Sequence, residues 1–297
     1  MATAPAPDFT LDVPLVEALL AAQSPSLAGL PVAWYASGWD NELFRLGDSL
    51  LVRIPRRESS APLMRHEIEH LPLIGSLVTI PVPQPVFVGT PSDLYPHPWA
   101  IFPWVPGTPA SEVPVADRTA FAEQLADFLW SLHQPAPAHA PFNPLRGGSL
   151  AQDGPDARAR ARIARDVDAD ALLARWESWT AAPDFDGVDV WVHGDAHPHN
   201  FVVGADGLLA SVVDWGDVTA GDPACDLATA WLTFDAEGRR LFRERTDLGG
   251  PLGEATWTRA KAWALHLGLI LAYETDDHPW LTAVGRHALT QLLAEAP

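Results

Sequence analysis

The sequence predicts an α+β protein with two lobes, a small antiparallel β-rich lobe followed by a larger, mainly helical lobe. Three observations support this prediction. Short apolar runs separated by turn residues fill the first hundred residues, and apolar residues at helical spacing dominate later. A hydrophobic fraction of 47% and a mean hydropathy of +0.01 are typical of a globular protein. A chain of 297 residues is long enough to bury a core in each lobe.

The small lobe is predicted over residues 1–101, with roughly five strands and one or two helices. It opens with a short amphipathic helix, LVEALLAA (Leu15–Ala22). Three strands follow, PVAWYAS, ELFRLG and SLLVRIP, with turns at Gly38 and at Gly47–Asp48. The segment APLMRHEIEHLPLIGSL has helical spacing that Pro72 interrupts. PVFVG and WAIFPWV are predicted as two further strands.

Residues 102–107 are predicted as a hinge and residues 108–297 as the helical lobe. The first helix of this lobe ends near His133, and a loop rich in proline and alanine follows it. DARARARIARDVDADALLARWESW is predicted as one long helix. DVWVHGD is a short apolar strand, and FVVGADGLLASVVDWGD is a hairpin that turns at residues 205–207. The remainder, from Asp226 onwards, is predicted to be helical.

Composition excludes some classes of partner and location. The formal net charge of −19 argues against nucleic acid and against an anionic membrane surface, since both select basic proteins. The most apolar segment, AWALHLGLILAY (Ala262–Tyr273), is too short to span a bilayer and is predicted as a core helix. A start without a basic, apolar leader and a single cysteine, Cys225, predict a cytoplasmic protein.

The segment HGDAHPHN, residues 193–200, allows two chemical interpretations. His193, Asp195, His197 and His199 alternate, so a strand would align imidazole and carboxylate groups that suit zinc. Pro198 within the run favours a loop, and no later histidine has ligand spacing. In the second interpretation Asp195 accepts a proton from a substrate hydroxyl and Asn200, five residues on, holds Mg²⁺, as in the catalytic loop of kinases.

The residues after Asn200 strengthen the second interpretation. Fourteen residues on, the apolar strand ASVV delivers Asp214, which Trp215 and Gly216 follow. Kinases place a metal-binding aspartate in this context. Mg²⁺ prefers oxygen ligands and keeps several waters, so two protein ligands from adjacent hairpin arms suffice. The paired motifs therefore predict a phosphoryl-transfer site.

VHGDAHPHNFVV followed by VVDWGDVTAGDPACDLA resembles the aminoglycoside phosphotransferase family, small-molecule kinases related to the protein kinases. The weaker similarity extends over nearly the whole chain. The resemblance implies a bilobal protein-kinase-like fold, with Asp195 as catalytic base and Asn200 and Asp214 as Mg²⁺ ligands. It implies that His193 braces the loop, whereas His197 and His199 are expected to be surface or packing residues. Asp222 and Asp226 are expected to form a turn and a helix N-cap, and Asp217 to face either the metal or the acceptor.

The nucleotide site implied by the resemblance departs from the usual pattern. The phosphate-binding lysine of kinases is replaced by Arg53, because the only lysine, Lys261, lies far away in the chain. Arginine can bridge phosphate and Glu67, the matching acidic residue in RHEIEHL. The alternative is that Arg53 is a surface residue at a strand edge, while Arg56 and Arg57 are expected at a solvated strand end.

The remaining contacts to ATP or GTP come from the loop and the hinge. The loop SGWDNE contains one glycine, so the phosphates would rely on backbone amides from Gly38 to Asn41. Adenine would lie against AIFPWVPG, which includes Phe102. Pro103 removes one hinge donor and leaves the backbone of Trp104 as the hydrogen-bonding group.

The function predicted is transfer of the γ-phosphate of ATP or GTP to a hydroxyl of a small molecule, most simply an aminoglycoside-type antibiotic. The acceptor pocket is expected between the catalytic loop and the C-terminal helices. Acidic side chains there would suit a cationic aminoglycoside, and tryptophans would suit a macrolide; the acidic set is Asp235, Glu237, Glu274, Asp276 and Asp277, and the tryptophans are Trp231, Trp257, Trp263 and Trp280. A small-metabolite kinase, a non-catalytic nucleotide-binding protein and a histidine-based metal hydrolase remain as alternatives.

Overall fold

The computed structural model describes residues 5–150, 158, 161, 167–250, 252–273, 275 and 278–295. Within these ranges the chain is a mixture of antiparallel sheets and helices, which confirms the predicted α+β class. None of the helices in these ranges is long and apolar enough to cross a membrane. The acidic residues Glu274, Asp276 and Asp277, together with most of the predicted helix before Asp168, lie outside the described residues.

A five-stranded antiparallel sheet forms the small lobe, with strand order β1-β2-β3-β5-β4. Its strands are β1 (Val32–Ser37), β2 (Asn41–Leu46), β3 (Leu50–Pro55), β4 (Phe87–Gly89) and β5 (Trp99–Pro103). Arg53 on β3 pairs with Leu43 of β2 and Ala100 of β5. The alternative, that Arg53 is a surface residue at a strand edge, is therefore wrong, because β3 is the central strand.

Two helices pack on this sheet, and each belongs to a different hydrophobic core. Helix α1 (Val13–Gln23) begins at the N-cap Asp12 and contributes to a small core with strands β2, β3 and β5. Helix α2 (Ala61–Leu77) joins the core of the larger lobe through Met64, Leu71 and Ile74. It continues through Pro72, where an interruption was predicted. Proline removes one backbone donor, and the burial of Leu71 and Ile74 on either side holds the helix together.

The larger lobe consists mainly of helices. In the described ranges they are α3 (Ala122–Leu132), α4 (Ala169–Trp179), α5 (Ala224–Leu227), α6 (Thr229–Thr233), α7 (Ala236–Asp247), α8 (Glu254–Tyr273) and α9 (Pro279–Ala294). The apolar segment predicted as a core helix forms the second half of α8, and most of its side chains are buried. The large core extends from these helices to one face of the five-stranded sheet.

Short antiparallel strands carry the motif residues between the two lobes. The predicted hairpin forms from β8 (Phe201–Val203) and β9 (Leu209–Val212), and β6 (Thr108–Pro109) pairs with β8. Strand β7 (Val190–Val192) pairs with β10 (Thr219–Gly221), which was not predicted. The segment 193–200 thus links two small sheets. The lobe boundaries at 1–101, 102–107 and 108–297 remain a prediction.

Candidate active site

Gly194 fixes the shape of the loop that follows β7. Its φ of +84° lies in the left-handed region, which glycine adopts without steric cost. A Cβ at this position would lie 2.5 Å from the carbonyl oxygen of Asp217. The glycine therefore permits a close approach between the HGD segment and the segment that follows Asp214.

Asp226 anchors the same loop from below. Its carboxylate is fully buried and accepts hydrogen bonds from the backbone N–H groups of His193 at 2.8 Å and Gly194 at 2.9 Å. Nε2 of His133, at the end of α3, lies 3.1 Å from the same carboxylate. Asp226 lies inside α5, so the predicted role as a helix N-cap is wrong. Asp222 does form the predicted turn, accepting from the N–H of Ala224 at 3.0 Å.

His193 connects the two motifs through both ring nitrogens. Its Nδ1 accepts from the backbone N–H of Asp195 at 3.2 Å, and its Nε2 lies 3.1 Å from the carbonyl oxygen of Val213. Because a carbonyl can only accept, the ring proton lies on Nε2 and Nδ1 is the acceptor. The ring is fully buried against Trp215. This is the position that the predicted bracing role requires, although the role itself stays a prediction.

The carboxylate of Asp195 has two different sides. Its Oδ2 accepts from Nδ2 of Asn200 at 3.1 Å and lies 3.2 Å from Nε2 of His197. Its Oδ1 faces the guanidinium of Arg146, at 3.8 Å. Burial by itself would raise the pKa of Asp195, but the charge and hydrogen bond of His197, assisted by Arg146, hold that pKa well below its usual range. The carboxylate is therefore ionised at neutral pH.

The two remaining histidines of the motif differ from each other. His199 is a packing residue, as predicted: its ring stacks on Trp280 at 3.6 Å, and its Nδ1 lies 3.0 Å from Oγ of Ser111. His197 was also expected to be a surface or packing residue, but it is buried against Asp195. Burial lowers the pKa of His197, and the charge of Asp195 outweighs this and raises it above the ordinary value. Nδ1 of His197 is buried without a hydrogen-bond partner.

The zinc interpretation has no support in the geometry. Across the described ranges, no group of three or more His, Cys, Asp or Glu residues is arranged so that it could hold a metal ion. The three histidines of the motif are directed instead to Val213, Asp195 and the Ser111–Trp280 pair.

Arg53 joins two acidic residues beneath the sheet. It forms an ion pair with Glu67 of α2, and its Nη2 donates to Oδ1 of Asp214 at 2.7 Å. The guanidinium lies 5.3 Å from the ring of Phe102, which is buried. Burial raises the pKa of Glu67, and the charge of Arg53 opposes that shift. Oε2 of Glu67 is buried without a hydrogen-bond partner.

Asp214 and Asn200 are brought together at the end of the hairpin. The backbone N–H of Val213 donates to the carbonyl oxygen of Asn200 at 2.9 Å. Asp214 adopts a φ of +64°, a strained conformation for a residue with a side chain, and its carboxylate is half-exposed. Asn200 uses its amide nitrogen on Asp195, so its amide oxygen is the atom left for a cation. An amide and a carboxylate oxygen fit Mg²⁺.

The loop around Gly38 is held by the arginines that follow β3. Nη1 of Arg56 donates to the carbonyl oxygen of Gly38, and Nη2 of Arg57 to Oδ1 of Asp40, both at 2.7 Å. These side chains are largely buried, so the expectation of a solvated strand end is wrong. The N–H of Gly38 donates to the carbonyl oxygen of Asn41 at 2.9 Å. This amide closes the loop and is therefore not directed at a ligand.

The backbone N–H of Trp104 is also engaged within the protein. It donates to the carbonyl oxygen of Ser49 at 2.7 Å, which extends the pairing of β3 and β5. Only the carbonyl group of Trp104 remains to hydrogen-bond a base. The indole packs beneath Arg45, with 4.0 Å between the guanidinium and the ring centroid.

Sequence patterns missed two residues that lie beside Asp195 and Asp217. Nδ2 of Asn143 donates to Oδ1 of Asp217 at 2.7 Å, and Nη2 of Arg146 lies 3.9 Å from Oδ2 of the same residue. Both lie between α3 and α4, in or just after the loop rich in proline and alanine, where the sequence has no recognised motif. Asp217, whose direction was left open, therefore faces this segment.

Most of the residues expected to line the acceptor pocket pack in the core, cap a helix or form ion pairs instead. Trp231, Trp257 and Trp263 belong to the core, whereas Trp280 stacks on His199 of the segment 193–200. Asp235 caps α7 by accepting from the N–H of Gly238, and Glu237 pairs with Arg240.

The chain is similar to known proteins both in sequence family and in fold. The sequence model that describes the phosphotransferase enzyme family (APH) matches residues 33–263 of this chain. An APH(2″)-IIIa structure in complex with GDP and kanamycin has a TM-score of 0.71 and 19% identity, covering 94% of this chain and 98% of that one. A macrolide 2′-phosphotransferase type I has a TM-score of 0.65 and 21% identity, covering 99% and 100%. At these identities the likeness confirms the fold that the resemblance implied.

One curated relative is less informative about function. The uncharacterized protein YcbJ of Bacillus subtilis (strain 168) is 24% identical over 166 residues. The match covers 50% of this chain and 54% of that protein, so the chain spans about half the length of the curated relative that it matches.

Proposed function

The chain belongs to the phosphotransferase enzyme family, and from this premise we propose that it transfers the γ-phosphoryl group of ATP or GTP to a hydroxyl group of a small molecule. One observation carries the proposal. An ionised carboxylate, Asp195, is hydrogen-bonded to Asn200, whose backbone carbonyl accepts from the N–H of Val213, the residue before Asp214. A binding protein would not need a base in this position.

In the proposed reaction Asp195 orients the acceptor hydroxyl and takes its proton. The acceptor oxygen forms a bond to the γ-phosphorus, the bond from that phosphorus to the bridging oxygen breaks, and the nucleoside diphosphate leaves. Oδ1 is the oxygen of Asp195 that receives the proton, because Oδ2 is occupied by Asn200 and His197. Positioning and charge supply nearly all of the catalysis in such reactions.

Asn200 and Asp214 would hold Mg²⁺, which would supply positive charge to the phosphates when it is bound. Arg53 would grip the phosphates while Glu67 holds its other side. The base would lie against Phe102 and the hinge at 102–107, between the proposed lobes 1–101 and 108–297. We also propose that the enzyme works in the cytoplasm, where its single thiol stays reduced.

An aminoglycoside-type antibiotic is the first acceptor to test. The net charge of −19 favours association with a cation, and a neighbour in fold was solved with kanamycin. A macrolide is the second candidate, because Trp280 offers an aromatic surface beside the catalytic loop.

The test is transfer of label from [γ-³²P]ATP and [γ-³²P]GTP to a panel of hydroxylated aminoglycosides, macrolides and metabolites. Asp195→Asn is expected to lower turnover by about 100-fold or more, because the general base is lost. Asp206→Asn, at the exposed turn of the hairpin, is the matched control and should leave turnover unchanged. Nucleotide-induced thermal stabilisation with no turnover on any acceptor would contradict the proposal and favour a non-catalytic nucleotide-binding protein.

A further inference from the structure

We propose that Arg146 is a positioning residue for the catalytic carboxylate, holding Asp195 and Asp217 in a fixed arrangement through one guanidinium group. This inference rests on the proposed function, since it assigns a residue to the same site. Arg146 lies outside the motifs, 49 positions before Asp195, and its role follows from the placement of a single loop.

Hydrogen bonds dock the loop that carries Arg146 on β10 and on the residue that follows this strand. The N–H of Ala220 donates to the carbonyl oxygen of Pro141 at 3.2 Å, and the N–H of Asn143 donates to Oγ1 of Thr219 at 3.1 Å. The N–H of Asp222 donates to the carbonyl oxygen of Gly147 at 2.9 Å. The two ends of the loop are therefore held against the strand.

Glycine allows this contact to be close. Gly147 has a φ of +68°, and a Cβ on Gly221 would lie 2.4 Å from the carbonyl oxygen of Gly147. Larger residues at either position would lift the loop from the strand. The backbone geometry thus fixes where the side chain of Arg146 begins.

The guanidinium of Arg146 lies between two carboxylates. Its Nη2 is 3.8 Å from Oδ1 of Asp195 and 3.9 Å from Oδ2 of Asp217, and the Arg146 side chain is only 15% exposed. Asn143 holds the other oxygen of Asp217, at 2.7 Å. Each carboxylate therefore has one oxygen held by a hydrogen bond and the other facing the same cation.

The negative charges of Asp195 and Asp217 explain why a guanidinium group lies between them. Burial raises the pKa of Asp217, and the nearby charge of Asp195 adds to that effect, whereas Arg146 opposes it. Without the guanidinium, two largely buried carboxylates would face each other and repel. The repulsion would turn Oδ1 of Asp195 away from its present direction. Because Oδ1 is the oxygen proposed to receive the proton, this rotation would misplace the base.

Two details indicate a role in the site rather than general surface pairing. Nε of Arg146 is buried without a hydrogen-bond partner, and Nη1 makes only a local contact with the carbonyl oxygen of Leu145. Surface pairs elsewhere are different: Arg240, for example, is half-exposed between Glu237 and Glu244 on one helix. The side chain of Arg146 is therefore largely removed from solvent and lies between Asp195 and Asp217.

The test compares Arg146→Ala and Arg146→Lys with the wild type in hydrolysis of Mg-ATP and Mg-GTP, with water as acceptor. Arg146→Ala is expected to lower kcat by about 100-fold, the scale of a misplaced catalytic group, with KM for the nucleotide nearly unchanged. Arg146→Lys should recover part of the loss, because it keeps the charge but not the fork. Added guanidinium ion should raise the turnover of Arg146→Ala and leave Arg240→Ala, the matched surface control, unaffected.

A crystal structure of Arg146→Ala gives a readout that does not depend on turnover. The carboxylates of Asp195 and Asp217 are expected to rotate, while His193 keeps its contacts. Unchanged carboxylates, or an unchanged kcat, would overturn the inference. Asp195→Asn is measured in parallel: if that variant retains full turnover, the proposed function fails. If only Arg146→Ala retains full turnover, the positioning role fails and the proposed function stands.

Discussion

Arg53 donates from Nη2 to Oδ1 of Asp214 at 2.7 Å while it is also paired with Glu67. One guanidinium thus connects the central strand of the sheet, helix α2 and the end of the β8–β9 hairpin. A lysine, with a single charged nitrogen, has no fork with which to hold two carboxylates in this way. The replacement of the usual lysine by arginine is therefore accompanied by a specific structural role.

Removing this guanidinium should cost stability as well as nucleotide binding. Arg53→Met is expected to lower the free energy of unfolding by about 3–5 kcal/mol, because Glu67 is left buried and unpaired. Urea denaturation measures this loss. The double variant Arg53→Met/Glu67→Leu should recover much of it, since no buried charge remains. A single variant as stable as the wild type would contradict the assignment.

Gly194 and Gly207 provide a matched pair for testing the shape of the loop at residues 193–200. Both have positive φ, +84° and +81°, but a Cβ on Gly207 meets nothing within 4 Å. Gly207→Ala should therefore cost only the conformational strain, about 1 kcal/mol. Gly194→Ala adds a collision with the backbone of Asp217 and should cost clearly more, with a fall in turnover. Thermal unfolding and kinetics of the two variants make the comparison, and equal losses would argue against the close contact.

Substitution of Asp226 is expected to lower both stability and turnover, although this residue takes no part in the proposed chemistry. Asp226→Asn replaces one acceptor oxygen by a donor, which then faces a backbone N–H of His193 or Gly194. The expected loss is about 1–3 kcal/mol, together with reduced turnover. Asp235→Asn is the control, because asparagine caps a helix as well as aspartate does. Denaturation curves that coincide for the two variants would contradict the anchoring role.

The burial of His199 leads us to expect a specific dependence of stability on pH. Burial lowers its pKa to about 4, whereas an unfolded histidine titrates near 6.5. The unfolded chain therefore takes up a proton that the folded protein excludes. The contribution of His199 is complete above about pH 6.5 and is lost as the pH falls towards 4. His199→Phe keeps the stack on Trp280 and removes the titration, so its urea midpoint should fall less steeply over this range; parallel curves would refute the prediction.

The sequence predicted the parts of the site that are local in the chain. Asp195 and Asn200 are five residues apart, and Asp214 ends the strand that pairs with the one following Asn200, so spacing alone places them together. The small-lobe strands were also recognisable from alternating apolar residues and their turns.

Sequence reasoning missed a residue, or assigned it the wrong role, where its partners lie far away in the chain. Arg146 reaches Asp195 from a loop without a motif, and Asp226 binds backbone groups 32 and 33 positions earlier. The acceptors of two backbone N–H groups were also not predicted from the sequence. The N–H groups of Gly38 and Trp104 were expected to meet a nucleotide, and the structure gives each an acceptor within the protein. Such pairings depend on tertiary register, which no local pattern encodes.

Helix α2 belongs to the large hydrophobic core, whereas Val52 and Ile54 of β3 belong to the small one. The Arg53–Glu67 ion pair therefore links a strand of the small core to a helix of the large one. Sliding of the sheet over the helix would change the distance between these two side chains and leave the small core intact. A pair of spectroscopic labels placed on β3 and α2 would accordingly report shear between sheet and helix.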